Sequence, residues 1–85
     1  MARKRTIAKV SDWRKRVSVD PKVCHGKPCI KGTRITVYDI LEYLAGGMTE
    51  TQILEDFPSL RPEHLRACLA FAAARERRLA ISTAA

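Results

Sequence analysis

Four side chains in this sequence are of types that bind a soft metal ion or attack an electrophile: Cys24, His25, Cys29 and Cys68. A tetrahedral zinc site takes thiolates and imidazoles, usually supplied by spaced pairs that let a short segment chelate. Here Cys24 and His25 are adjacent, which is awkward for one tetrahedral ion, and no Cys-x-x-Cys pair occurs. No metal site and no cofactor are expected. Nor do Cys24 and His25 read as nucleophile and base, because neighbours in sequence rarely face each other. Cys68 falls on an apolar helical stripe, where a free thiol packs as a small hydrophobe. Gly26-Lys27 and Lys31-Gly32 fall short of a phosphate loop, which needs a longer glycine-framed segment ahead of a helix. The residues support neither an enzyme nor a small-molecule substrate.

Cationic chemistry is better represented. The formal net charge is +7, and it is unevenly placed. Residues 1–16 hold Arg3, Lys4, Arg5, Lys9, Arg14, Lys15 and Arg16 against Asp12 alone, a net of +6, leaving +1 for the rest. A basic arm on a nearly neutral body adds phosphate affinity without reading sequence, and Arg3, Lys4 and Arg5 are its candidate DNA contacts. A solubilising tail has the same composition. Trp13, the single tryptophan, lies inside the basic run. It either anchors the arm, meets a partner, or is simply half-buried.

The elements that must position these groups begin with a short strand, Val17–Asp20, ended by Pro21. Lys31-Gly32 lies between two β-favouring runs, Cys29-Ile30 and Thr33–Ile35, and glycine supplies the positive φ of a tight reversal. Thr36 is the expected N-cap of a helix over 36–46, with Val37, Ile40, Leu41 and Leu44 on one stripe. Gly46-Gly47 stops it. Thr49 and Gln52 form a capping box at the start of a second helix over 49–57, whose inner side holds Ile53, Leu54 and Phe57. Pro58 breaks that helix, and Pro62 suits the first position of a third, running to about Leu79.

In the third helix Leu65, Cys68, Leu69, Ala72 and Leu79 are read as the core stripe. Ala67, Ala70 and Ala74, flanked by Phe71 and Ala73, make the opposite face apolar too. A helix apolar nearly all round is covered on both sides, so this face is expected to meet another chain. Arg75, Arg77 and Arg78 then suit a helix C-terminus.

A three-helix layout with a short turn places the third helix in a major groove, first turn to the bases. Arg61, His64 and Arg66 are the candidate contacts there, with Thr49 and Thr51 for phosphates. Glu63 in the same turn, and alanine and phenylalanine beyond it, are poor readers of base edges. The helix is read as serving a protein partner more than DNA, which leaves DNA affinity to the basic arm.

The chain is short enough for one domain, divided as a basic arm (1–16), a β-hairpin plus helix-turn-helix body (17–79) and a frayed end (80–85). The expected class is mostly α with a small sheet, a three-helix, winged-helix-like domain. Two or three short strands are not stable alone, so a homodimer pairing edge to edge is expected. An odd number of cysteines, no secretory signal and no membrane-length apolar run point to a cytoplasmic protein without disulfides or membrane attachment.

The residues Gly26-Lys27-Pro28, Gly32-Thr33-Arg34-Ile35, Gly47-Met48-Thr49 and Ile53-Leu54-Glu55-Asp56-Phe57-Pro58, in that order, resemble the bacterial domain-of-unknown-function family 433. The resemblance implies a β-decorated helix-turn-helix domain. It also implies a VapB-type antitoxin role in type II toxin–antitoxin pairs, beside a PIN-like ribonuclease toxin. Within that motif Arg34 is read as pairing with Asp39 or Glu42 to hold the hairpin on the first helix.

The resulting expectation is a dimeric antitoxin that neutralises a PIN-like toxin and binds operator DNA to autorepress its operon. The partner surface is assigned to Trp13, Arg14, Lys15, Arg16, Ala67, Ala70, Phe71 and Ala74. Arg14, Lys15 or Arg16 would occlude the toxin's acidic active site. The alternative is a stand-alone helix-turn-helix regulator with no toxin.

Overall fold

The computed structural model describes residues 12–84, with side chains through Leu79. Arg3, Lys4 and Arg5 lie outside the described residues, and so does most of the expected arm. A 3-10 turn at Trp13–Lys15 leads into strand β1 (Val17–Ser18), and a second tight turn at Cys24–Gly26 precedes strand β2 (Cys29–Ile30). Three helices follow: α1 (Val37–Ala45), α2 (Glu50–Asp56) and α3 (Pro62–Ala84). The strands pair antiparallel, Val17 opposite Ile30 and Ser18 opposite Cys29. The chain is thus mostly helical with a two-stranded sheet, the class its periodicity implied. Among the described residues no helix is long and apolar enough to cross a membrane.

The expected third strand over 33–35 does not form. The Thr33 N–H donates to the Ile30 carbonyl, closing a turn, and Gly32 takes φ +80° there. The Thr33 hydroxyl donates to the same carbonyl at 2.8 Å and accepts the Ile35 N–H at 3.0 Å. A side chain has taken bonds that a ladder would have used, and only a single bridge, Cys29 to Thr36, remains. Arg34 makes no ion pair with Asp39 or Glu42 among the described residues; Glu42 instead accepts the Tyr38 hydroxyl at 2.9 Å.

Helix ends follow the residues that encode them. Thr36 Oγ1 accepts the Asp39 N–H at the start of α1. At its end the Met48 N–H reaches the Tyr43 carbonyl and the Gly47 N–H the Leu44 carbonyl, a Schellman closure with Gly47 at φ +102°. Thr49 and Gln52 cap α2 reciprocally. Phe57, just past α2, stacks on Tyr43 with ring centroids 5.8 Å apart.

The core is Ile30, Ile40, Ile53, Leu65, Cys29 and Cys68, all fully buried, with Val17, Val37 and Leu60 around them. Each buried aliphatic side chain contributes about 1.5–3 kcal/mol. The stripe expected on α3 needs correction. Leu65 and Cys68 face the core, but Leu69 and Leu79 are about half exposed, at 49% and 55%. Ala67 and Ala70, assigned to a partner, are buried within this chain. The N-terminal turn also packs across α3, with the Trp13 ring edge-on to Phe71 at 4.8 Å. The second apolar side of α3 is met from within, by the turn at Trp13–Lys15.

Candidate functional site

The first turn of α3 gathers the charged residues expected to meet nucleic acid. Arg61 and Arg66 are exposed and His64 half-buried. Glu63, also exposed, is held below its ordinary carboxylate pKa by its own backbone N–H at the helix start, and then by Arg61, Arg16 and Arg66. Arg16, next to β1, thus acts on Glu63 in the same sense as Arg61 and Arg66. Among the candidates His64 has a different job. Its Nδ1 accepts the Arg61 N–H at 2.9 Å while its own N–H donates to the Arg61 carbonyl. A histidine thus takes the part that Glu or Gln plays in a capping box, with the ring hydrogen on Nε2. It was expected as a reader of base edges, and only Nε2 is left for that. Thr49 and Thr51 are exposed at the start of α2, where the Thr49 hydroxyl oxygen accepts the Gln52 N–H and its hydrogen remains to donate.

A second region lies farther along α3. Two grooves of about 520 and 630 Å3 run along it and share Lys27, Pro28, Phe71 and Arg75. Trp13, Ala74 and Arg78 line the first, and Val37, Tyr38 and Asp39 the second. Trp13, Phe71 and Ala74 were expected at a partner surface, and they do lie together here. Arg14 sits over the Trp13 ring at 4.6 Å and pairs with Asp12 at 3.7 Å, an exposed contact worth little by itself. Lys15 is exposed, and the Arg16 carbonyl accepts the Lys31 N–H at 2.8 Å. Lys27, Arg75 and Arg78 were missed as groove residues. The signal was there: Phe71, Ala74, Arg75 and Arg78 recur at i, i+3, i+4 and i+7.

The wall beside Trp13 is made by His25, Gly26, Lys27 and Pro28. Cys24 and His25 both take positive φ, 52° and 55°, ahead of Gly26 at 80°. For a residue with a Cβ that conformation costs roughly 1–2 kcal/mol, so the turn is held by its surroundings.

The cysteines do not assemble a reactive site. The Cys24 Sγ donates to the Arg34 carbonyl at 3.4 Å and the Cys29 Sγ to the adjoining Thr33 carbonyl at 3.6 Å. Burial, then the neighbouring Cys24 thiol, pushes the Cys29 thiol above its ordinary pKa. Burial pushes Cys68 up to about 11. Among the described residues no group of three or more His, Cys, Asp or Glu side chains is placed to hold a metal ion.

The family model described as "Protein of unknown function (DUF433)" matches residues 17–72. The uncharacterized protein y4eO of Sinorhizobium fredii (strain NBRC 101917 / NGR234) is 36% identical over 58 residues, which cover 68% of this chain and 26% of that protein. This chain therefore spans about a quarter of the length of that curated relative. A crystal structure of a DUF433 member protein from Anabaena variabilis ATCC 29413 superposes with a TM-score of 0.69 at 26% identity, covering 82% of this chain and 69% of that one.

Proposed function

Since the chain belongs to the DUF433 family, whose model spans residues 17–72, we propose that it is a VapB-type antitoxin that neutralises a PIN-like ribonuclease toxin and binds its own operator as a homodimer in the cytoplasm. The observation that carries the DNA half of this reading is the cluster at the first turn of α3. Arg61 and Arg66 are exposed on either side of the helix start, Arg16 acts on Glu63 in the same sense as they do, and none of the three has an ion-pair partner among the described residues. Arginines so grouped on an exposed helix start grip phosphate and release counterions, giving affinity that falls steeply with salt. Base reading is the weaker part, because His64 is committed to capping and Glu63 repels phosphate.

The toxin half rests on the resemblance and on the basic character of the N-terminal segment. Lys15 and Arg16 remain the groups suited to an acidic, metal-binding toxin site, while Arg14 is already engaged by Trp13 and Asp12. Cutting the chain after Arg16 is a poor test, since it also removes the cover that Trp13 gives α3. Substituting Lys15 and Arg16 by Gln keeps Trp13 in place. A Lys15→Gln/Arg16→Gln chain that fails to relieve toxicity while remaining folded supports occlusion, and full relief rejects it.

Titration of the chain with the DNA upstream of its reading frame tests the operator claim. Double substitution of Arg61 and Arg66 by Ala is expected to weaken binding and lower the salt slope by about one per lost phosphate contact. An unchanged slope would overturn it. The second reading, a regulator without a toxin, is favoured by the same α3 cluster, which needs no other protein to act. Operator binding by a chain with no co-purifying neighbour would select it.

A further inference from the structure

We propose that the paired grooves along the second half of α3 are a docking site for an acidic amphipathic helix of a partner protein. This deepens the reading of the chain as a partner-binding protein and rests on it. The floor is apolar, formed by Trp13, Pro28, Phe71 and Ala74, and the rim is cationic, formed by Lys27, Arg75 and Arg78. Among the described residues the ion pair is Arg14–Asp12, and Lys27, Arg75 and Arg78 form none. One acid, Asp39, lines the far end, beside the start of α1. A segment with acids over Arg75 and Arg78 and apolar residues toward Phe71 and Trp13 meets both features at once.

The dimensions suit a helix. Phe71, Arg75 and Arg78 lie on one side of α3 over about two turns, roughly 10 Å, which matches i, i+3/i+4 and i+7 anchors on an incoming helix. Two alternatives fit the charges less well. Residues 1–11 contain Arg3, Lys4, Arg5 and Lys9 and no acid, so the rim repels them. Nucleic acid would satisfy the rim, yet the floor is apolar, and Trp13 is already spanned by Arg14 and Phe71. Trp13, Ala74, Arg75 and Arg78 all lie outside the residues that the family model matches, 17–72. Lys27, Pro28 and Phe71, which both grooves share, lie within them.

The test uses the full chain and a fluorescein-labelled 18-residue synthetic helix, Leu at i, i+3, i+4 and i+7 spacing and Glu along its flanks, followed by anisotropy. Saturable binding is expected. It should weaken at least ten-fold in Arg75→Glu/Arg78→Glu and also in Ala74→Trp, which fills the groove without changing charge. Lys22→Glu/Arg77→Glu carries the same change of charge outside the grooves and should bind as the unmodified chain does. A Lys-for-Glu version of the peptide should not bind. Circular dichroism confirms that each variant is folded.

No binding by the unmodified chain, equal binding by Arg75→Glu/Arg78→Glu, or displacement of the peptide by duplex DNA would each overturn the assignment. So would a dimer that Arg75→Glu/Arg78→Glu converts to monomer, since a second copy would then be the occupant. Failure here is separable from failure of the antitoxin reading. A co-expressed toxin still captured by Arg75→Glu/Arg78→Glu rejects the groove alone. Peptide binding by a chain that relieves no toxicity rejects the antitoxin role alone.

Discussion

The two ends of α3 carry similar numbers of arginines and use them differently. At the first turn Arg61 and Arg66 surround Glu63, and His64 closes the helix start, so part of the local chemistry serves the fold. Farther along, Arg75 and Arg78 stand over an apolar floor with no carboxylate paired to them among the described residues. Positive charge alone does not say what a helix binds. What lies beneath the charge does: backbone and a capping histidine in one case, Trp13 and Phe71 in the other.

The comparison breaks first at Trp13, the residue that makes the second region possible. Trp13→Ala strips the edge-on ring from Phe71. It should cost about 2–4 kcal/mol, somewhat below the range for a fully buried aromatic, read as a lower melting temperature and denaturation midpoint. A change near zero would mean that the N-terminal turn does not hold α3. Next comes Gly47→Ala, which forces a Cβ into φ +102° with no atom within 4 Å of it. Strain without a clash should cost about 1–2 kcal/mol, and unchanged stability would show that the turn re-forms in another geometry. His64→Ala sharpens the first region. It should remove a cap worth about 1 kcal/mol and lower operator affinity only to the extent that the α3 start frays. A large affinity loss at unchanged stability would restore His64 as a base reader.

The smallest effects concern protons. Cys68 has its pKa raised to about 11 from an ordinary 9.0. A raised thiol pKa favours the protonated form in the folded state, so this contribution is fully present below pH 9 and is lost as pH rises through about 11. In the folded chain at pH 8, alkylation should reach half-exposed Cys24 first and Cys68 last; equal rates would contradict the burial. Glu63 has the opposite sign. Its lowered pKa means a contribution present above the ordinary carboxylate value of 4.5 and lost as pH falls through the folded one. Glu63→Gln should flatten that acid limb slightly.

Local signals in the sequence carried most of the fold. Thr36, the Thr49–Gln52 box, Gly47 and Pro62 each act within a turn of the chain, and each stands where its chemistry required. The third strand was misread because the pattern of Thr33–Ile35 cannot reveal that the Thr33 hydroxyl closes the turn itself. The faces of α3 were misassigned for a different reason. A helix apolar on two sides needs two covers, and periodicity does not say that the second includes a segment 58 residues ahead of Phe71. Trp13 on Phe71 is part of that cover, and Ala67 and Ala70, assigned to a partner, are buried in the chain itself. The groove was half legible: Arg75 and Arg78 repeat with Phe71, but Lys27 and Pro28 reach it only through the strained turn at Cys24 and His25.

The central claim, an antitoxin acting on a PIN-like toxin, is tested most directly by co-expression with the adjacent reading frame, scored by growth and by size-exclusion chromatography with light scattering. The account expects the neighbour alone to arrest growth, the pair to grow, and the two proteins to elute as one complex. A harmless neighbour that elutes apart, with this chain alone bound to its upstream DNA, would contradict it and leave the plain regulator.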